Sequence, residues 1–221
     1  MGLNHSPRLV TDGLVMCLDA GNSRSYSGTG TNWVDLSRRN NNGTLTNSPT
    51  FATTNGGIIN YSGSATVSTP IVLGASYTMS CWFRLTAVST GTYQAILGVY
   101  QSNYMCLIMN ATDAFMGLWT ETASAQALGS SAVSTNTWYN YTLVREGDNN
   151  GTGYKLYVNG LYTGAWNTST RTTTDFFHVG GRPDTTQPPS GGIANSMVYN
   201  RALSATEILQ NFNALSGRFG I

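Results

Sequence analysis

The residues of this chain best equipped for chemistry are Glu121, Glu146, Glu207, His5, His178, Cys17, Cys81 and Cys106. Hydrolysis of a glycosidic bond generally takes two carboxyl side chains flanking the bond, one acting as acid and one as nucleophile or base. Glu207 instead reads as a helix cap, and Glu146 falls at a strand end before the turn residues "GDNNG". Neither histidine has a cysteine or carboxylate in a local motif, and His178 within "FFHVGG" reads as a structural strand residue. No glycine-rich stretch matches a phosphate-binding or dinucleotide fingerprint. The expectation is a chain without catalytic machinery. The three cysteines cannot all pair within the chain and show no C-x-x-C spacing. They read as buried, reduced thiols on strands, which suits assembly in a reducing compartment.

Composition narrows the class of partner. Only 10% of the 221 residues are charged, the net charge is +1, and Lys155 is the single lysine. A nucleic-acid binder would need clustered cations, and the sole basic pair, Arg38-Arg39, reads as a solvated turn. No apolar run approaches the ~20 residues of a membrane helix. The opening "MGLNHSPRLV" lacks the basic and apolar regions of a secretory leader. Ser, Thr and Asn supply 73 residues and Gly another 25. That mixture reads as short β-strands, many turns and a neutral polar surface.

Strand patterns support this reading along the whole chain. In "YTMSCWFRL" (77–85) the odd positions Tyr77, Met79, Cys81, Phe83 and Leu85 are apolar. The even positions are Thr78, Ser80, Trp82 and Arg84. A two-residue period marks a strand with one face in a core and the other in or near solvent. Residues 137–166 read as a meander whose Asn159-Gly160 pair fits a type I′ hairpin turn. Trp33 and Leu36 are expected to pin the turn-rich segment 23–49, and residues 183–192 form a surface loop. "LSATEILQNF" is a marked helix start, with Ser204 as N-cap, Glu207 completing a capping box, and Leu203 and Ile208 at staple positions. Ile208, Leu209, Phe212 and Leu215 give an apolar stripe, so a helix over about 204–215 is expected to cover an open edge or end. About a dozen strands with one terminal helix predict an all-β, two-sheet antiparallel jelly-roll sandwich. The expected organisation is an N-terminal arm (1–8) and one domain (9–221).

The succession "GLVMCLDAGNSRSYSGTGTNWVDLS", "NNGTL", "YTMSCWFRL", "GYKLYVNG", "VGGR" and "VYNRALSATEI" resembles the concanavalin A-like, laminin G-like jelly-roll family. The version it is most similar to is found in structural proteins of marine tailed bacteriophages. The resemblance implies a lectin-like sandwich and a non-enzymatic virion part: a capsid decoration, neck or tail-appendage subunit. Such a part would be made in bacterial cytoplasm and held in the virion as a dimer or trimer by itself and other virion proteins. The alternative it implies is a glycan-binding module for host-surface sugars. Glycanases of this family carry Glu-x-Asp-x-Glu on a strand, a triplet this chain lacks.

Family members often hold a structural calcium with an acidic pair after the last-strand isoleucine. Here Ile193 is followed by Ala194 and Asn195, leaving Asp19 as a weak candidate ligand and calcium as an unfavoured cofactor. For glycan contact the candidates are Trp82 and Arg84 on the polar strand face, then Trp119 and Tyr93. The bland reading of Trp82 is cover by the terminal helix or a long loop.

Overall fold

The computed structural model describes residues 7–62, 65–87, 93–99, 105–109, 115–119, 125–147, 153–166, 176–181 and 189–221. At 93, 105–109, 115–116, 118–119, 125–132 and 166 the description is of the backbone alone. Strands β1 (Leu14–Asp19), β2 (Asn32–Trp33), β3 (Gly43–Thr46), β4 (Thr50–Ala52), β5 (Ile58–Tyr61) and β6 (Thr66–Val72) come first. There follow β7 (Ser76–Leu85), β8 (Tyr93–Val99), β9 (Met105–Met109), β10 (Phe115–Trp119) and β11 (Ala125–Ala132). The last are β12 (Trp138–Glu146), β13 (Tyr154–Val158), β14 (Leu161–Trp166), β15 (Phe176–Val179) and β16 (Gly191–Tyr199), and helix α1 (Ala205–Phe219) ends the chain.

The strands form two antiparallel sheets. The first runs β14-β13-β12-β7-β16-β5-β4, with β1 also paired to β16. The second runs β11-β10-β9-β8-β15-β6-β3-β2. Alternation along each strand sends one set of side chains between the sheets. Met79, Cys81, Phe83, Leu143, Leu156 and Val198 from the first sheet meet Leu45, Val67, Ile71, Leu97, Phe177 and Val179 from the second. This is the two-layer sandwich expected from the sequence. Asn159 and Gly160 adopt φ of 51° and 76° between β13 and β14, so the hairpin turn is where the dipeptide places it.

The helix covers Trp82, as the bland reading of that residue has it. It covers the outer face of the first sheet, not an open edge, so that face is a second buried layer. Thr78 and Trp82 are fully buried and Ser80 nearly so. The even positions of β7 therefore point into this layer and not toward solvent. Ile208 and Phe219 are buried, whereas Leu209 of the expected stripe is exposed. The capping box forms as read: Ser204 Oγ accepts from the Glu207 amide, and the Glu207 carboxylate accepts from the Ser204 amide. α1 runs four residues past the expected end, because Arg218 and Phe219 make the contacts that fix its last turn.

Trp33 is buried as an anchor, and the loop after it is clasped by Asp35. That carboxylate accepts hydrogen bonds from the amides of Cys17, Ser37 and Asn41 and from Ser37 Oγ. Four donors satisfy a buried carboxylate without a counter-ion. Cys17 and Cys81 are buried. Burial, followed by the nearby Asp19 and Asp35 carboxylates, pushes the Cys17 thiol up to about 12. Cys106 is a β9 strand position whose side chain lies outside the described residues. Among the described residues no helix is long and apolar enough to cross a membrane.

Candidate functional site

Trp82 pairs across the first sheet with Asn140 of β12 and Asn195 of β16, placing its indole at the centre of the outer face. Phe219 stacks on it at 4.2 Å and Phe212 at 5.5 Å. With no exposed surface, Trp82 cannot receive a sugar, which corrects its reading as the leading platform residue. The cause is that α1 has taken the position a ligand would need. Arg84 falls with it. It is half-buried, with its guanidinium 5.5 Å over the Trp138 ring. Trp138 is in turn covered by Phe219 at 4.6 Å and donates through Nε1 to Asn55 Oδ1 at 3.2 Å.

Asp19, the candidate calcium ligand, faces a cation supplied by the chain. Its Oδ1 accepts from Arg218 Nη1 at 2.6 Å and from the Gly21 amide at 2.8 Å. Arg218 also donates through Nε to Asn55 O and through Nη2 to Gly57 O. The guanidinium thus sits among one carboxylate and two carbonyls. Among the described residues no group of three His, Cys, Asp or Glu could hold a metal ion.

Five of the ten carboxyl residues are described, and each is engaged. Asp35 clasps its loop, Asp19 meets Arg218, Glu146 meets Lys155, and Asp12 and Glu207 share Arg201. Arg201 donates from both Nη atoms to the Glu207 carboxylate. That contact, with the Ser204 amide second, pulls the Glu207 carboxyl down to about 2. Glu121 lies outside the described residues.

A different surface has the properties expected of a contact face. On the outer side of the second sheet one row of register partners runs Asn32, Thr44, Ser68, His178 and Gly98. The same row continues through Met105 to Trp119. Tyr93 pairs with Met109, and Met109 with Phe115, so Tyr93 and Trp119 occupy positions on the same sheet. What is described of those two is the backbone. Asn32, Thr44 and Pro70 are exposed, and Ser68 and His178 are half-buried. Beside them Val72 and Phe176 pair across β6 and β15, at 49% and 55% exposure.

Two large apolar side chains left in water next to hydroxyls stand out among the described residues, whose other Trp and Phe side chains are buried or half-buried. The row contains no Asp, Glu, Lys or Arg. An exposed ring, two hydroxyls, an amide and an imidazole can receive a C–H-rich face and exchange hydrogen bonds with hydroxyl groups. Sequence reasoning missed this surface. The signal was present in "TVSTPIV", where Ser68, Pro70 and Val72 alternate with core residues, and in "FFHV", where Phe176 and His178 do. Helix α1 is what separates the two sheets in this respect: it contacts β12, β14 and the turn at 54–56, all on the other side of the molecule.

Residues 56–209 match the Laminin_G_3 family model, described as the concanavalin A-like lectin/glucanases superfamily. No curated protein sequence matches the chain. Among solved structures it is similar to domain 4 of AbnA, an extracellular arabinanase from Geobacillus stearothermophilus, solved in complex with arabinotriose. The TM-score there is 0.70 at 18% identity, over 90% of this chain and 97% of that one. Trypanosoma rangeli sialidase superposes with a TM-score of 0.71 at 16% identity, over 93% of this chain and 33% of that one. The botulinum neurotoxin type G receptor-binding domain follows at 0.65 and 13%, over 91% and 51%. The chain thus spans about a third of the sialidase and half of the neurotoxin domain. At these identities the likeness is one of fold. The family match covers more than half of the sequence, and the chain belongs to the concanavalin A-like lectin/glucanase superfamily.

Proposed function

We propose that this protein is a non-catalytic carbohydrate-binding domain that contacts its ligand with the outer face of the second sheet. The observation that carries the reading is the exposure of Phe176 and Val72 beside Ser68, Thr44 and His178. An exposed aromatic ring flanked by neutral hydrogen-bonding groups matches the two-sided character of a sugar ring. The arabinanase domain supports it as a fold neighbour of nearly the same extent, solved with a trisaccharide. The engagement of Asp12, Asp19, Asp35, Glu146 and Glu207 in structural contacts supports the non-catalytic part.

A glycan array probed with the wild-type chain and Phe176→Ala tests this. Phe176 is more than half exposed, so its truncation should leave the fold intact. The expected result is binding to a defined glycan group, weakened about tenfold or more in the variant. Equal binding by both proteins would refute the assignment of the face.

A second reading, a subunit of a bacteriophage virion, draws on the order of sequence motifs and on another apolar group. Leu161 and Tyr162, beside the Asn159–Gly160 turn, are 66% and 57% exposed, and Leu209 of α1 is 41% exposed. Gly160 lies against Leu209 and Phe212, so the three form one neighbourhood. Such a subunit would be made in host cytoplasm and would meet itself as a dimer or trimer there. Light scattering tests it: a strict monomer that is absent from purified particles would rule it out. The two readings are compatible, since a virion appendage can carry a sugar-binding face.

A further inference from the structure

We infer that the ligand is an uncharged, unbranched oligosaccharide that lies across the strands of the second sheet and is recognised along its length. The inference rests on the carbohydrate-binding reading above and adds the ligand's charge, shape and direction. Asn32, Thr44, Ser68, His178 and Gly98 are successive register partners on β2, β3, β6, β15 and β8. At about 4.8 Å per strand, four steps span about 19 Å, and two more to the Trp119 position bring the row to about 29 Å. One sugar unit is about as long as one strand step. Asn32 and His178, three steps apart, therefore cannot contact the same unit. A ligand that uses the whole row must be a chain of on the order of five or six units.

The chemistry of the row fixes the charge. Its described side chains are an amide, two hydroxyls and an imidazole, with Pro70, Val72 and Phe176 alongside. An acidic sugar would need a cation to offset the cost of moving its carboxylate out of water. The sequence places no Lys or Arg at any position of this row, whether at Met105, Trp119 or Gly98. Neutral hydroxyls, by contrast, find donors and acceptors at Asn32, Thr44, Ser68 and His178. Phe176 provides the ring on which one unit stacks, so the units bound near it contribute most and those near Asn32 extend the contact.

Calorimetric titration with a length series of one neutral oligosaccharide, from one to seven units, and its uronic-acid counterpart tests the inference. The neutral series should gain affinity with each added unit up to about five or six units and then level off, with at least a tenfold total gain. The uronate of equal length should bind at least tenfold more weakly. Asn32→Ala should weaken the longest chain and leave the disaccharide unaffected, while Phe176→Ala weakens both. A monosaccharide that binds as tightly as the hexasaccharide, or an acidic chain that binds better, would overturn the inference while leaving sugar binding standing. Absence of binding to every length, with the array also blank, would overturn both.

Discussion

The Phe219 ring lies nearly parallel to the Trp82 indole, 4.2 Å from centroid to centroid with 15° between planes. Phe212 stacks on the same indole at 5.5 Å and 13°. These two contacts turn the outer face of the first sheet around Trp82 into a core, whereas the outer face of the second sheet keeps the Phe176 ring in water. A lectin-like sandwich has two outer faces, and here the terminal helix selects between them.

Phe219→Ala should destabilise the fold by about 3 kcal/mol, the usual cost of truncating a buried phenylalanine. Part of this is the stacking with Trp82, which adds to the area term. Urea unfolding followed by tryptophan fluorescence reads it, since Trp82 and Trp138 both lie under this ring. Glycan binding by the folded variant should be unchanged, because the helix lies on the opposite side of the sandwich.

Arg218→Ala should cost roughly 2–3 kcal/mol, since it strips hydrogen bonds from the Asp19 carboxylate and two carbonyls at once. Arg218→Lys should recover little, because an ammonium cannot reproduce the three-way fork. The cradle is built for a close fit. A Cβ on Gly21 would stand 2.5 Å from Arg218 Nη2, and one on Gly57 would stand 2.3 Å from Ala20 O. Chemical denaturation of both variants checks this.

Acid should weaken the start of the helix. The folded Glu207 carboxyl titrates at about 2, below its ordinary 4.5, because Arg201 and the Ser204 amide favour the charged form. A depressed folded value means the contribution is complete above pH 4.5 and is lost as pH falls toward 2. The group is partly exposed, so an effect of about 1 kcal/mol is expected. Stability curves of wild type and Glu207→Gln should differ at neutral pH and converge over that window.

Cys17 should resist alkylation in the native state at mildly alkaline pH, because burial and two carboxylates hold its thiol near 12. Peptide mass spectrometry after iodoacetamide treatment reads this. Labelling of the Cys17 peptide should appear on denaturation.

Much of the fold was legible because it depends on local rules. The alternation at 77–85, the Asn159-Gly160 turn and the Ser204–Glu207 capping box each carry their own cause within a few residues. What alternation could not reveal is which sheet face receives cover. Trp82 on a polar strand face has the same sequence signature whether water, a sugar or a helix lies over it. The deciding residues, Phe212, Arg218 and Phe219, are more than a hundred positions away. The helix end was misjudged for the same reason: "SGRF" looks like a stop until Arg218 finds Asp19 and Phe219 finds Trp82. The candidate face was hidden because Phe176 and Val72 look like core residues, and their exposure follows from register across β6 and β15.

An NMR titration of the isotopically labelled chain with the best-binding neutral oligosaccharide tests the central claim most directly. Amide shifts at Thr44, Ser68, Phe176 and His178, with those around Trp82, Arg84 and Trp138 unmoved, are the predicted result. Shifts confined to the helix-covered sheet, with the Thr44–His178 row silent, would contradict it.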